Sequence, residues 1–117
     1  MRLSRSEFQA AIEDGIREGS NVSPGLSTDQ QEALREVGRT TTRCARGDYL
    51  GPDDCGCPAT LAGLVKIKRN EDGAVIECES VSTSVTRFAM RFDSHTRKKG
   101  LAPYEVGHNA QIVEVVG

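Results

Sequence analysis

Three of the chain's four cysteines fall within fourteen residues, from Cys44 to Cys57, in a stretch that also holds Gly47, Gly51, Gly56, Pro52 and Pro58. A segment this polar and glycine-rich does not order itself. Any fold that gathers its thiols must pin residues 39–63 from outside, by a metal, by a disulfide or by burial against a core built elsewhere.

The spacing bears on which of these applies. Cys55 and Cys57 are separated by Gly56 alone, and Cys44 lies eleven positions before Cys55. Structural zinc wants four tetrahedral ligands, and Gly56 leaves room for two thiolates to turn towards one ion. Cys78 sits inside a strand-like run with Ile76 on the same, core-facing side, so the freer candidates for a fourth ligand are His95 and His108. The ligand set the sequence offers is therefore Cys44, Cys55, Cys57 and His95, with zinc as the cofactor. The competing reading is that the thiols pack as small hydrophobes. A third is redox or nucleophilic. Pro58 suits the first position of a short helix through Ala62, which makes Cys57 its N-cap and favours the thiolate. Asp53 and Asp54 oppose that charge, and a disulfide across Gly56 would close a strained ring. The Arg46-Gly47-Asp48 tripeptide and the adjacent Asp53 and Asp54 are read as ordinary loop residues.

At 117 residues the chain has the length of one domain, divided as a helical part (1–38), the cysteine-rich loop (39–63) and a sheet (64–117). With 37% hydrophobic residues but only 4% aromatic and no Trp, its core rests on Val, Ile, Leu and Ala, and a pinned loop would help it. No apolar run is long enough to span a membrane and no signal-peptide stretch follows Met1, so a cytoplasmic location without membrane contact is expected. Reduced thiols go with that compartment.

Phe8, Ala11, Ile12, Gly15 and Ile16 recur at helical spacing, predicting a helix from about Ser4 to Glu18. Ser4 and Glu7 form a capping box, Leu3 can staple onto Phe8, and Gly19 is the expected stop. A second helix begins at Ser27, with Gln30 completing its box and Ala33, Leu34 and Val37 as its apolar face before Gly38. Leu64–Lys68 and Ala74–Glu79 flank an Asp72-Gly73 hairpin turn. Residues 81–92 read as a long strand whose alternation puts Phe88, Met90 and Phe92 on one side and Arg87, Ala89 and Arg91 on the other. Gln111–Val116 is the last strand. The expected fold class is α+β, with two N-terminal helices packed on an antiparallel sheet of about four strands.

Charge is unevenly spread. Residues 1–38 carry four Arg against seven acids, whereas residues 86–99 hold Arg87, Arg91, Arg97, Lys98 and Lys99 against Asp93 alone. Facing out from a sheet edge, those five cations suit phosphates or an acidic protein surface. They equally suit a solvated edge protected by charge. The function expected from sequence is a small binding module that contacts nucleic acid or an acidic protein through this basic edge. A self-assembling homo-oligomeric subunit and a thiol-dependent enzyme using Cys57 are the alternatives. Neither histidine stands at a telling distance from a nucleophile or carboxylate, and no phosphate-binding or dinucleotide loop is present.

Overall fold

In the computed structural model, residues 1–52, 55–97 and 110–117 are described. Four helices and five strands follow in order: β1 (Arg2–Ser4), α1 (Arg5–Ser20), α2 (Thr28–Thr40), β2 (Arg43–Arg46), α3 (Pro58–Leu61), β3 (Val65–Arg69), β4 (Val75–Ser80), α4 (Thr83–Thr96) and β5 (Gln111–Val116). The α+β class holds. The arrangement differs from two helices on one antiparallel meander, because the strands form two sheets and a long helix stands where a strand was expected.

The local signals were sound. Both capping boxes are present, Ser4 with Glu7 and Ser27 with Gln30. Leu3 packs against the core that holds Phe8. The β3–β4 hairpin turns through Gly73 at φ +82°, a conformation that costs glycine little. Pro58 opens α3 with Cys57 at its N-cap position. Gly19 is a correction. Rather than following α1, it is the helix's next-to-last residue, where it and Gly15, four residues earlier, lie against α4. A Cβ at Gly15 would stand 2.7 Å from the Phe88 ring, and one at Gly19 would stand 2.7 Å from the Ser84 carbonyl oxygen. Helices this close bury the largest side chains between them.

The main correction concerns residues 83–96. They form α4, not a strand, because Val85, Phe88, Phe92 and Thr96 repeat at helical spacing and all four are buried. The Ser82 hydroxyl accepts from the Val85 N–H at 3.3 Å and starts the helix. Phe92 meets Phe8 edge-on at 6.0 Å and stacks on Phe88 at 6.3 Å, so all three phenylalanines of the chain share one cluster. Met90, expected in the core, is 64% exposed.

The larger sheet has the order β1-β5-β2, with β5 parallel to β1 and antiparallel to β2. It draws in both ends of the chain, and the Met1 ammonium donates to the Ile112 carbonyl at 3.0 Å. Val113 and Val115 of β5 and Cys44 of β2 join the helices in one core. Cys44 thus lies on a strand that the sequence assigned to the loop. The hairpin is a separate two-stranded sheet. Ile76, expected to face the core beside Cys78, is 57% exposed. On α2, Leu34 and Val37 are buried, and Arg5 closes its C-terminal end by donating to the carbonyls of Gly38 and Thr41.

Candidate binding face on helix α4

The buried stripe of α4 fixes what its other sides present. Arg87, Arg91 and His95 repeat every four residues along the flank next to α1. Arg91 Nε donates to Asp14 Oδ2 at 2.8 Å, His95 Nδ1 lies 2.9 Å from the same oxygen, and Arg87 approaches Glu18 at 3.9 Å. The His95 hydrogen bond is the main reason that the Asp14 carboxyl is held below the usual carboxylate range; burial opposes it, and the Arg91 guanidinium adds to the lowering. The cations expected on a sheet edge therefore sit on a helix, and two of them are tied to acids. Arg97 follows at the helix end and is exposed. Lys98, Lys99 and His108 lie outside the described residues, as do Asp53 and Asp54.

On its outward side α4 carries Met90 and Ser94. On the flank towards β2 it carries Ala89 and Asp93. Met90 borders a shallow depression with Glu18, Arg87, Arg91 and Ser94, and two more on the side of β2. One, of about 170 Å³, is lined by Gly47, Asp48, Tyr49, Cys57, Pro58, Ala89, Met90, Phe92 and Asp93. The other, of about 320 Å³, is lined by Arg46, Gly47, Met90, Asp93, Ser94 and Arg97. Arg46 is nearly fully buried beneath them, and its guanidinium donates to Thr96 Oγ1 at 3.0 Å, Gln111 Oε1 at 3.1 Å and the Asp93 carbonyl at 2.7 Å.

Burial pushes the Asp93 carboxyl up, although the Gly47 N–H at 2.9 Å and the charge of Arg46 pull it down. The folded protein holds that proton more tightly than the unfolded chain. The contribution of Asp93 therefore favours folding at acid pH and is lost as pH rises through the folded value. Asp93→Asn is expected to melt above the wild type at about pH 7 and to lose that advantage by about pH 3. Thermal melts of both proteins across that range check this.

The structure brings the cysteines of the loop together. The Ala45 N–H donates to the Gly56 carbonyl at 2.9 Å, and the Cys57 N–H to the Tyr49 carbonyl at 3.1 Å, so Cys55 and Cys57 lie alongside β2. Cys44 and Cys57 are buried and Cys55 half-buried, all as free thiols. His95 is on the α1 flank with Asp14 and does not join them. Among the described residues, no group of three His, Cys, Asp or Glu side chains is placed to hold a metal ion.

Nor is Cys57 activated. Burial pushes its thiol up more than the Thr60 hydroxyl pulls it down. Cys44 is pushed up to about 12, mainly by burial and further by the neighbouring Cys57 and Cys55. Both are expected to resist iodoacetamide in the folded protein at neutral pH and to react fully in denaturant, as read by mass spectrometry of the alkylated peptides.

Sequence reasoning named Arg87, Arg91 and Arg97 but missed Met90, Asp93, Tyr49 and Arg46. The helical recurrence of 85, 88, 92 and 96 was the signal that places Met90 outside. Among the described residues, no helix is long and apolar enough to cross a membrane. No protein-family model, curated protein or solved structure matches this chain.

Proposed function

We propose that this chain is a non-catalytic binding module whose α4 face holds an acidic segment of a partner protein anchored by an apolar side chain. The observation that carries this reading is Met90, 64% exposed and bordered by Arg87, Arg91 and Arg97. Methionine and arginine are enriched at protein interfaces, where a flexible thioether adapts to a partner's side chain. The guanidinium groups of Arg87 and Arg91 are about half exposed, and each keeps further donors for an incoming carboxylate.

One feature favours protein over nucleic acid. Phe88 and Phe92 are buried, so neither ring is offered for stacking on bases. The raised thiols speak against a Cys57 enzyme.

The test is calorimetric titration with a synthetic peptide of alternating glutamate and leucine, beside a DNA duplex of the same charge. The peptide is expected to bind more tightly, to weaken with added salt, and to lose roughly tenfold in affinity on Met90→Ser. Tighter binding of the duplex, or indifference to Met90→Ser, would sink the proposal.

A second reading rests on the hairpin. Val75 and Ile76 of β4 are 37% and 57% exposed, and among the described residues both strands are open edges, which supports association between copies. Its cross-strand pairs, Lys66 with Glu79 and Lys68 with Glu77, set basic residues on one edge and acidic residues on the other. Like edges of two copies therefore repel. Sedimentation over a wide concentration range decides it, and a constant monomer mass removes it.

A further inference from the structure

Side chains four residues apart form rows along the outward side of α4: Arg87 with Arg91, Met90 with Ser94, and Asp93 with Arg97 at the C-cap. A groove lies between each adjacent pair of rows. The first, about 150 Å³, is lined by Arg87, Arg91, Met90 and Ser94 together with Glu18 of α1. The second, about 320 Å³, is lined by Met90, Ser94, Asp93 and Arg97 together with Arg46 and Gly47. The Met90–Ser94 row is therefore a ridge with a groove on each side. Met90 on its crest is the most exposed of the large apolar side chains among the described residues. Relief of this kind is what one helix offers another, because the ridges of each seat in the grooves of its partner.

We infer that the partner segment docks on α4 as an amphipathic α-helix, with two apolar rows astride the Met90–Ser94 ridge and acidic residues along their flanks. This rests on the reading of α4 as the docking face for an acidic segment. Backbone chemistry separates a helix from an extended strand here. The N–H and C=O groups of α4 are bonded along its own axis, so they offer nothing to the open edge of a strand laid across them. A helix arrives with its backbone bonds already made. Charge sets the pattern on that helix. Glu18 lines the first groove and Asp93 the second, so the rows that enter them are apolar. The acids stand beside those rows, where they reach the half-exposed guanidinium groups of Arg87 and Arg91. The α4 of a second copy does not fit, because it would set the same arginines against one another. Fourfold rows seated in fourfold grooves cross the two helix axes at about −50°.

The test compares two peptides of the same glutamate and leucine content, one with the leucines at helical spacing and the other strictly alternating. In calorimetric titration of the wild type, the peptide of helical period is expected to bind about tenfold more tightly. Circular dichroism is expected to show its helix content rising in the complex, and a proline at its centre to remove the advantage. On the protein, Ser94→Phe places a ring at an exposed position that both grooves share, and it is expected to block this peptide. An alternating peptide that binds as tightly, or a complex with no gain in helix content, would overturn the inference. The docking face itself would then stand if Met90→Ser still weakened the alternating peptide. Failure of both peptides to bind would overturn the face and the helix together. Because the peptides are compared on the wild type, the result does not depend on any variant folding.

Discussion

Replacing Phe92 with alanine is expected to remove about 4 kcal/mol of stability, whereas Met90→Ser is expected to change it by no more than about 0.5 kcal/mol. Phe92 is 1% exposed and touches both other phenylalanines of the chain, so its loss opens a cavity where α1 and α4 meet. A loss of that size is a large part of the total stability of a small domain. Met90 has no such neighbours to lose. The contrast also separates the two readings of residues 83–96. A strand with alternating faces would bury Met90 beside Phe88 and Phe92, and both substitutions would then cost several kcal/mol, of the order of 2–4. Urea denaturation of the two variants measures the difference.

The second large effect belongs to Arg46. Its guanidinium joins β2 to the last turn of α4 and to β5, three elements far apart in sequence. Arg46→Leu keeps the apolar stem but leaves the Asp93 carbonyl and the Gln111 side chain without that donor, and about 3 kcal/mol of stability is expected to go. Arg46→Lys is expected to recover only part of it, because an ammonium cannot reach three separate acceptors with the guanidinium's planar fork. Chemical denaturation of both variants against the wild type checks the order. Full recovery in the lysine variant would mean that charge alone, and not the directed bonds, is what the position needs.

What could be read from the sequence was what neighbours in sequence decide. The Ser4 and Ser27 capping boxes, the turn at Gly73 and the helix opened by Pro58 each depend on a few adjacent residues, and each formed as expected. The run from Arg87 to Phe92 satisfied two periods at once. Arg87 with Arg91, and Phe88 with Phe92, are spaced equally well for one face of a strand and one side of a helix. Only Val85 and Thr96, farther out on the same buried stripe, break the tie, together with the Ser82 cap.

The larger sheet was harder to see. β1 has three residues, and its parallel partner β5 comes from the opposite end of the chain. Nothing local encodes such a pairing. The same limit hid the cleft. Asp93 looks like a lone acid in a basic stretch until β2 and its following turn are brought under α4, and Arg46 looks like part of a surface loop. Of the zinc set expected from spacing, Cys44, Cys55 and Cys57 did come together, because β2 and the returning loop hydrogen-bond to one another. His95 did not, because Asp14 on α1 holds it on the other flank.

The proposal stands or falls on whether the outward side of α4 is where a partner docks. NMR mapping of the 15N-labelled protein with the glutamate–leucine peptide tests this most directly. The largest shifts are expected at Arg87, Met90, Arg91 and Ser94, weakening with salt and lost in Met90→Ser. Shifts confined to the β3–β4 hairpin, or an unchanged spectrum at peptide saturation, would contradict it.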